Sequence, residues 1–174
     1  SNEIAIRLIL GCVSFVAGRL DISFEPLFVD HDMHYYRTYL RILNTPEQEE
    51  KIGYIIFCRN CKDRHAEIIK QNECRKCGQK TEIAGPLWIG SLFQKKFVNK
   101  MKDIKDNLTV NKRCERIIER SELESDLPPT YYTLDEIASK MNCAPLKLND
   151  AVEKLKSQGF NASMTSLNPS GFRT

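Results

Sequence analysis

The sequence predicts an α+β fold: a mixed sheet with a four-cysteine zinc ribbon, followed by a winged-helix-like C-terminal unit. Three observations predict it. The spacing C-x2-C-x12-C-x2-C places Cys58, Cys61, Cys74 and Cys77 in two tight knuckles. Aromatic and β-branched residues concentrate in Phe24–Val29 and Tyr35–Leu43, as strands require. After Pro128-Pro129 the pattern runs helix, turn, helix, strand and return.

At 174 residues and 41% hydrophobic content the chain is long enough for one ordinary core or two small ones. The expected parts are residues 1–20, 21–122 and 130–174. In the first, Ile4, Ile6, Leu8, Ile9, Leu10, Val13, Phe15 and Val16 form a helix that is apolar on most faces. Such a helix wants burial on several sides, here against a domain ahead of Ser1. Arg7 and Arg19 interrupt it, so it falls short of a bilayer span. With no ordered secretory signal, the expectation is a cytoplasmic protein that does not enter membranes.

In the second part, alternation along Tyr35–Leu43 puts Tyr35, Arg37, Tyr39 and Arg41 on one face. Tyr36, Thr38, Leu40 and Ile42 form the other, expected to be the core side. Asn44–Glu50 reads as a solvated turn and Tyr54–Phe57 as a short strand entering the cysteines. Gly85-Pro86-Leu87-Trp88-Ile89-Gly90 is too short and too punctuated for a helix. Helices are expected over Gln94–Lys105 and Val110–Glu122. An acidic linker with two prolines, Ser121–Thr130, marks the boundary to the third part. There Thr133 is an N-cap with Glu136 completing a capping box, and a second helix, Leu146–Gln158, ends at Gly159. The strand-like Phe160–Thr165 follows.

Four thiolates at this spacing suit a tetrahedral ion, and with every position filled by sulfur the zinc is structural, without room for an activated water. Two disulfides are the competing reading, disfavoured because nothing marks the chain as secreted. His65 is a surplus donor inside the ribbon. Cys12, Cys114 and Cys143 have no paired spacing and read as plain buried thiols.

The net charge of +3 is too mild to signal nucleic-acid binding by itself. Its distribution says more: Lys95 to Arg120 holds nine cations against four anions. Lys95, Lys96, Lys100, Lys102, Lys112 and Arg113 in this run are candidate phosphate contacts, although solvated helix faces often look alike. The Tyr35, Arg37, Tyr39, Arg41 face suits base stacking and phosphate contact, and equally suits a solvated strand face. Asp126-Leu127-Pro128-Pro129-Thr130-Tyr131 breaks the contiguous order an amine-methylating pocket needs and reads as linker. No glycine-rich turn offers to hold a nucleotide cofactor, so neither catalytic nor cofactor-binding residues are expected.

Taken in order, Glu25-Pro26-Leu27, the strand from His34 to Arg41, the cysteine ribbon, Gly85–Gly90 and the tail Asn168-Pro169-Ser170-Gly171-Phe172-Arg173-Thr174 resemble one family. They are similar to the C-terminal half of tRNA guanine-26 N2-dimethyltransferases of the archaeal type. That resemblance implies methyl transfer from S-adenosylmethionine to the exocyclic amine of a guanine in tRNA. It places cofactor and catalytic residues in an N-terminal domain that this sequence lacks, with Ser1–Leu20 as that domain's last helix. It maps the four cysteines onto zinc ligands, and implies a fragment that is inactive alone and binds tRNA, with Arg173 in the family tail among the candidate contacts. The alternative is a zinc-ribbon and winged-helix module of the transcription type, contacting DNA or protein through Lys147, Lys154 and Lys156.

Overall fold

The computed structural model describes residues 1–46, 51–105 and 107–174. Glu47, Glu49 and Glu50 of the expected turn, and Asp106, lie outside them. Two compact units emerge: Ser1–Pro26 with Leu40–Ser91, and Leu27–Tyr39 with Leu92–Thr174.

The first unit opens with helix α1 (Asn2–Gly18). Its inner stripe, including Ile6, Leu10 and Ala17, is buried. Gly11 lets the helix ride close on the backbone beneath it, since a Cβ there would stand 3.0 Å from the Leu87 Cα. Arg7 breaks the apolar run for a structural reason. It is buried, pairs with Glu3 at 2.9 Å, and donates to the carbonyls of Trp88 and Gly90. On the outer side Leu8, Ile9, Phe15 and Val16 remain exposed.

Strand β1 (Ser23–Asp32) and strand β2 (Tyr35–Leu43) form a hairpin closed by Met33 and His34. Its base counts with the first unit and its tip with the second. The expected core side of β2 is corrected here: Tyr36 is 43% and Ile42 57% exposed. A two-stranded ribbon with no third strand has no second layer to cover both faces.

Strands β3 (Ile52–Phe57), β4 (Arg64–Glu67) and β5 (Glu82–Trp88) form an antiparallel sheet with β3 central. The punctuated Gly85–Gly90 segment thus contributes to an edge strand, with Trp88 opposite Ile52 and Leu87 opposite Gly53. Gly85, at φ 135°, is needed where a Cβ would come within 2.7 Å of the Gly53 carbonyl oxygen. Trp88 is buried, stacks on Phe24 at 5.0 Å between centroids, and donates its indole N–H to the Ser91 carbonyl.

In the second unit, helices α2 (Lys95–Lys105) and α3 (Lys112–Glu124) pair side by side. Three ion pairs cross between α2 and the α3 region: Lys95–Asp126, Lys102–Glu122 and Lys105–Glu119. Asn111 starts α3 by accepting from the Cys114 amide at 2.9 Å. Then come β6 (Tyr132–Thr133), α4 (Leu134–Met141), α5 (Leu148–Ser157), β7 (Ser163–Met164) and β8 (Gly171–Arg173). The sheet order is β6-β8-β7, antiparallel throughout. Thr133 caps α4 by accepting from the Glu136 amide, and Asn142 ends it in the left-handed region. Val152, Ala162 and Phe172 make the small core beneath this sheet.

The stretch expected as an acidic linker, Ser121–Thr130, holds a buried anchor. Glu124 is 2% exposed and accepts from Arg173 Nε, Thr165 Oγ1 and both Ser166 donors, all at 2.5–2.6 Å. Arg173 also donates to the carbonyls of Pro128 and Thr130. Being 3% exposed, Arg173 is therefore removed from the candidate RNA contacts. Its charge closes the fold around Glu124, and this fixes the proline stretch in place.

Candidate metal centre

Each CxxC closes by the same pair of backbone bonds. In the first knuckle the Cys58 carbonyl accepts from the Lys62 amide, and the Cys58 amide donates to the Asp63 carbonyl. In the second, Cys74 makes the equivalent bonds with Gly78 and Gln79. Lys62 at φ 64° and Gly78 at φ 69° supply the same left-handed turn. β3 leads into the first knuckle and β4 out of it, while β5 follows the second. Two like hooks thus face each other.

The four Sγ atoms lie within 4.8 Å of one another, with Cys58 to Cys77 and Cys61 to Cys74 each at 3.5 Å. A disulfide needs sulfurs ~2 Å apart, and all four cysteines are free thiols. Thiolates on one tetrahedral zinc stand about 3.8 Å apart, from a Zn–S bond of ~2.3 Å. The cage therefore fits that ion, held by Cys58, Cys61, Cys74 and Cys77.

The electrostatics ask for a cation. The Asp63 backbone hydrogen bond lowers the Cys61 thiol, but burial and the neighbouring thiols outweigh it and push it up to about 12. Hydrogen bonds from the Gln79 backbone and the Asn60 side chain bring Cys77 down to about 6, against burial. Clustered sulfurs cannot all ionise without a positive centre. The Lys76 amide also points at the Cys74 sulfur, at 3.4 Å.

Around the cage, Asp63 joins the two hooks through Lys76 at 2.6 Å. Burial alone would raise the Asp63 carboxyl; the Lys76 and His65 contacts hold it below its usual value. His65 sets Nδ1 against Asp63 and Nε2 against Gln71, which accounts for its absence from the sulfur cluster.

The other candidate residues scatter. Tyr35, Arg37, Tyr39 and Arg41 do share one face of β2 and are each exposed, with Arg37 stacked on Tyr35 at 4.8 Å and Arg41 paired to Glu25. Arg113 donates to the His31 carbonyl and faces Asp30 and Asp32. Lys95 and Lys102 are engaged in the helix pair. Lys96, Lys100 and Lys112 are exposed. Among the described residues the pairings β3–β4, β3–β5, β6–β8 and β7–β8 are antiparallel, and no glycine-rich turn leads from a strand into a helix as a doubly wound cofactor site requires. No described helix is long and apolar enough to cross a membrane.

Fold and cage together define an α+β protein with four clustered cysteines whose geometry suits one tetrahedral ion. A sequence model of the N2,N2-dimethylguanosine tRNA methyltransferases matches residues 1–174, and the chain belongs to that family. It is 27% identical to a tRNA (guanine(26)-N(2))-dimethyltransferase of Methanosphaera stadtmanae, covering 99% of this chain and 47% of that protein. It is 31% identical to a tRNA (guanine(26)-N(2)/guanine(27)-N(2))-dimethyltransferase of Aquifex aeolicus, over 99% of this chain and 45% of that protein. The solved complex of Trm1 from Pyrococcus horikoshii with S-adenosyl-L-methionine shares the fold at a TM-score of 0.77 and 22% identity, over 95% of this chain and 44% of that one. The chain spans about half the length of these relatives.

Proposed function

We propose that this chain serves as the tRNA-holding portion of an S-adenosylmethionine-dependent tRNA guanine-N2 methyltransferase of the cytoplasm, acting at guanine 26. Zinc in the four-cysteine cage would be structural, because four sulfurs leave no coordination position for reacting water. Cofactor and catalytic residues would lie in the half of the relatives' length that this chain does not span. The observation that carries the reading is the family match along residues 1–174, on a chain that spans about half the length of its relatives. The exposed stripe Leu8, Ile9, Phe15 and Val16 on α1 is then the surface that would meet the methyltransferase domain.

Holding would act through shape and phosphate contacts, with Lys96, Lys100 and Lys112 and the Tyr35, Arg37, Tyr39, Arg41 face as contacts. Binding of folded tRNA by the zinc-loaded chain should weaken steeply as salt rises, with no methyl transfer on adding S-adenosylmethionine. Affinity that ignores salt, or preference for duplex DNA, would reject the proposal.

We read α3, β6, α4, α5, β7 and β8 as a winged helix, from their order and the strand arrangement. That favours the transcription-type alternative in one respect only. The segment that would be the wing, between β7 and β8, is pulled inward: Thr165 and Leu167 are buried and Arg120 donates to the Thr165 carbonyl. On α5, Asp150 and Glu153 sit among Lys147, Lys154 and Lys156, and Glu153 pairs with Lys156. A groove-reading module needs a free wing and an uncompensated basic helix.

A further inference from the structure

In the second unit the hairpin tip and the facing sides of α2 and α3 line a half-open cavity of about 340 Å³. Its floor is apolar, made by Phe28, Met101, Cys114 and Ile118, while Ile104 and Leu108 stand more than half exposed at its edge. Polar groups are confined to the hairpin side and one lysine: Asp30, Arg37, Tyr39 and Lys105. Lys105 is held by Glu119, and Asp30 is bridged only loosely, at 3.5 Å, by Arg113. Arg37 is exposed and lies against Tyr35, and its contact and hydrogen bond with Tyr39 raise its pKa further above the usual guanidinium value. An oily slot of this volume, with a carboxylate and a guanidinium at one side, has the makings of a small-ligand site.

We propose that this cavity takes one unstacked base of the bound RNA, a second base distinct from the one that is methylated. The proposal rests on the tRNA-holding reading above. A flat aromatic ring gains from the apolar floor and from Phe28 and Tyr39, which lie 6.1 Å apart at a tilt of 52° and offer ring edges and faces. The Asp30 carboxylate can only accept hydrogen bonds when ionised, so it selects a base edge carrying adjacent N–H donors. Guanine, with its ring N–H beside its amine, meets that requirement; adenine, whose amine sits beside an acceptor nitrogen, does not. Arg37, exposed beside the slot, suits the phosphate that follows the inserted base. An apolar side chain from another protein segment would use the floor but make no use of the Asp30 carboxylate or the Arg37 guanidinium beside it.

The zinc-loaded chain is titrated with guanosine 5′-monophosphate and adenosine 5′-monophosphate, following amide and methyl NMR shifts, and separately with folded tRNA. Guanosine monophosphate at millimolar concentration should shift Cys114, Ile118 and Phe28 signals and adenosine monophosphate should do so more weakly. Cys114→Trp, which fills the slot, should abolish those shifts and weaken tRNA binding at least tenfold without changing its salt slope, because no phosphate contact is removed. Arg37→Ala, on the surface and harmless to folding, should weaken tRNA binding severalfold and reduce the slope. Unchanged tRNA affinity in both variants, or nucleotide shifts away from the cavity, overturns the base site while the tRNA-holding reading stands. Shifts in the cavity from guanosine monophosphate, with no tRNA binding at any salt, would support a base pocket and reject the tRNA-holding reading instead.

Discussion

The cysteine ribbon and the Glu124 anchor solve one problem in opposite ways. Both gather negative charge into a small piece of structure with little apolar interior. Loaded with zinc as proposed, the ribbon would leave neutralisation to an ion taken from solution, and its shape would be conditional on supply. The anchor brings its own cation, Arg173, 49 residues along the chain, and adds three hydroxyl or amide donors. On the proposed reading one region would be switchable by metal and acid, while the other carries its own countercharge.

The largest expected break in that contrast comes from removing the metal. Chelation, or Cys58→Ser, should cost on the order of 10 kcal/mol of apparent stability in the ribbon. Hydrogen exchange would then show β3 and β4 amides unprotected and β6 to β8 amides unchanged; equal loss in both would erase the distinction. Acid should mimic chelation, because protons compete with zinc for sulfur. With Cys61 pushed up to about 12, its proton must be displaced on loading, so zinc affinity should rise with pH and be lost on acidification. Metal titrations at several pH values, with proton release measured, check this.

Next in size is Glu124→Gln, which strands the buried Arg173 charge and should cost about 3–5 kcal/mol in denaturant unfolding. Adding Arg173→Met should recover part of that loss; strictly additive costs would mean the two residues do not act as a pair. Smaller still is the difference between the two hooks. Lys62→Gly should stabilise the zinc-loaded form by about 0.5–1 kcal/mol by relieving a left-handed lysine, and Gly78→Ala should destabilise it by about 1 kcal/mol. Thermal melts that rank these two substitutions the other way would show that the hooks are not equivalent. Replacing the cap, Asn111→Ala, should cost about 1 kcal/mol, seen as fraying of the first turn of α3.

The ribbon was the more legible of the two regions. Its cysteines sit at fixed short spacing, so sequence alone grouped all four, and the α4 start likewise announced itself through Thr133 at short range. The anchor was hidden. Glu124 lies in an acidic, proline-containing stretch that reads as solvated, and its partner stands near the far end of the chain in a segment that looks like a phosphate contact. No local pattern encodes a pairing across that separation. Gly85–Gly90 reads correctly as non-helical, but nothing local says that its first residues complete an edge strand beside β3. The open second face of β2 shows that alternation predicts sides but not whether a layer exists to cover one. The cavity beside the hairpin tip had no signal beyond scattered apolar residues on α2 and α3.

The three rungs between α2 and the α3 region change how the basic run should be counted. Lysines at 95, 102 and 105 already face carboxylates, so an RNA strand approaching this surface meets fewer unclaimed positive charges than the composition advertises. Raising ionic strength acts on both kinds of contact together, loosening the clasp between the helices as it thins the attraction for nucleic acid.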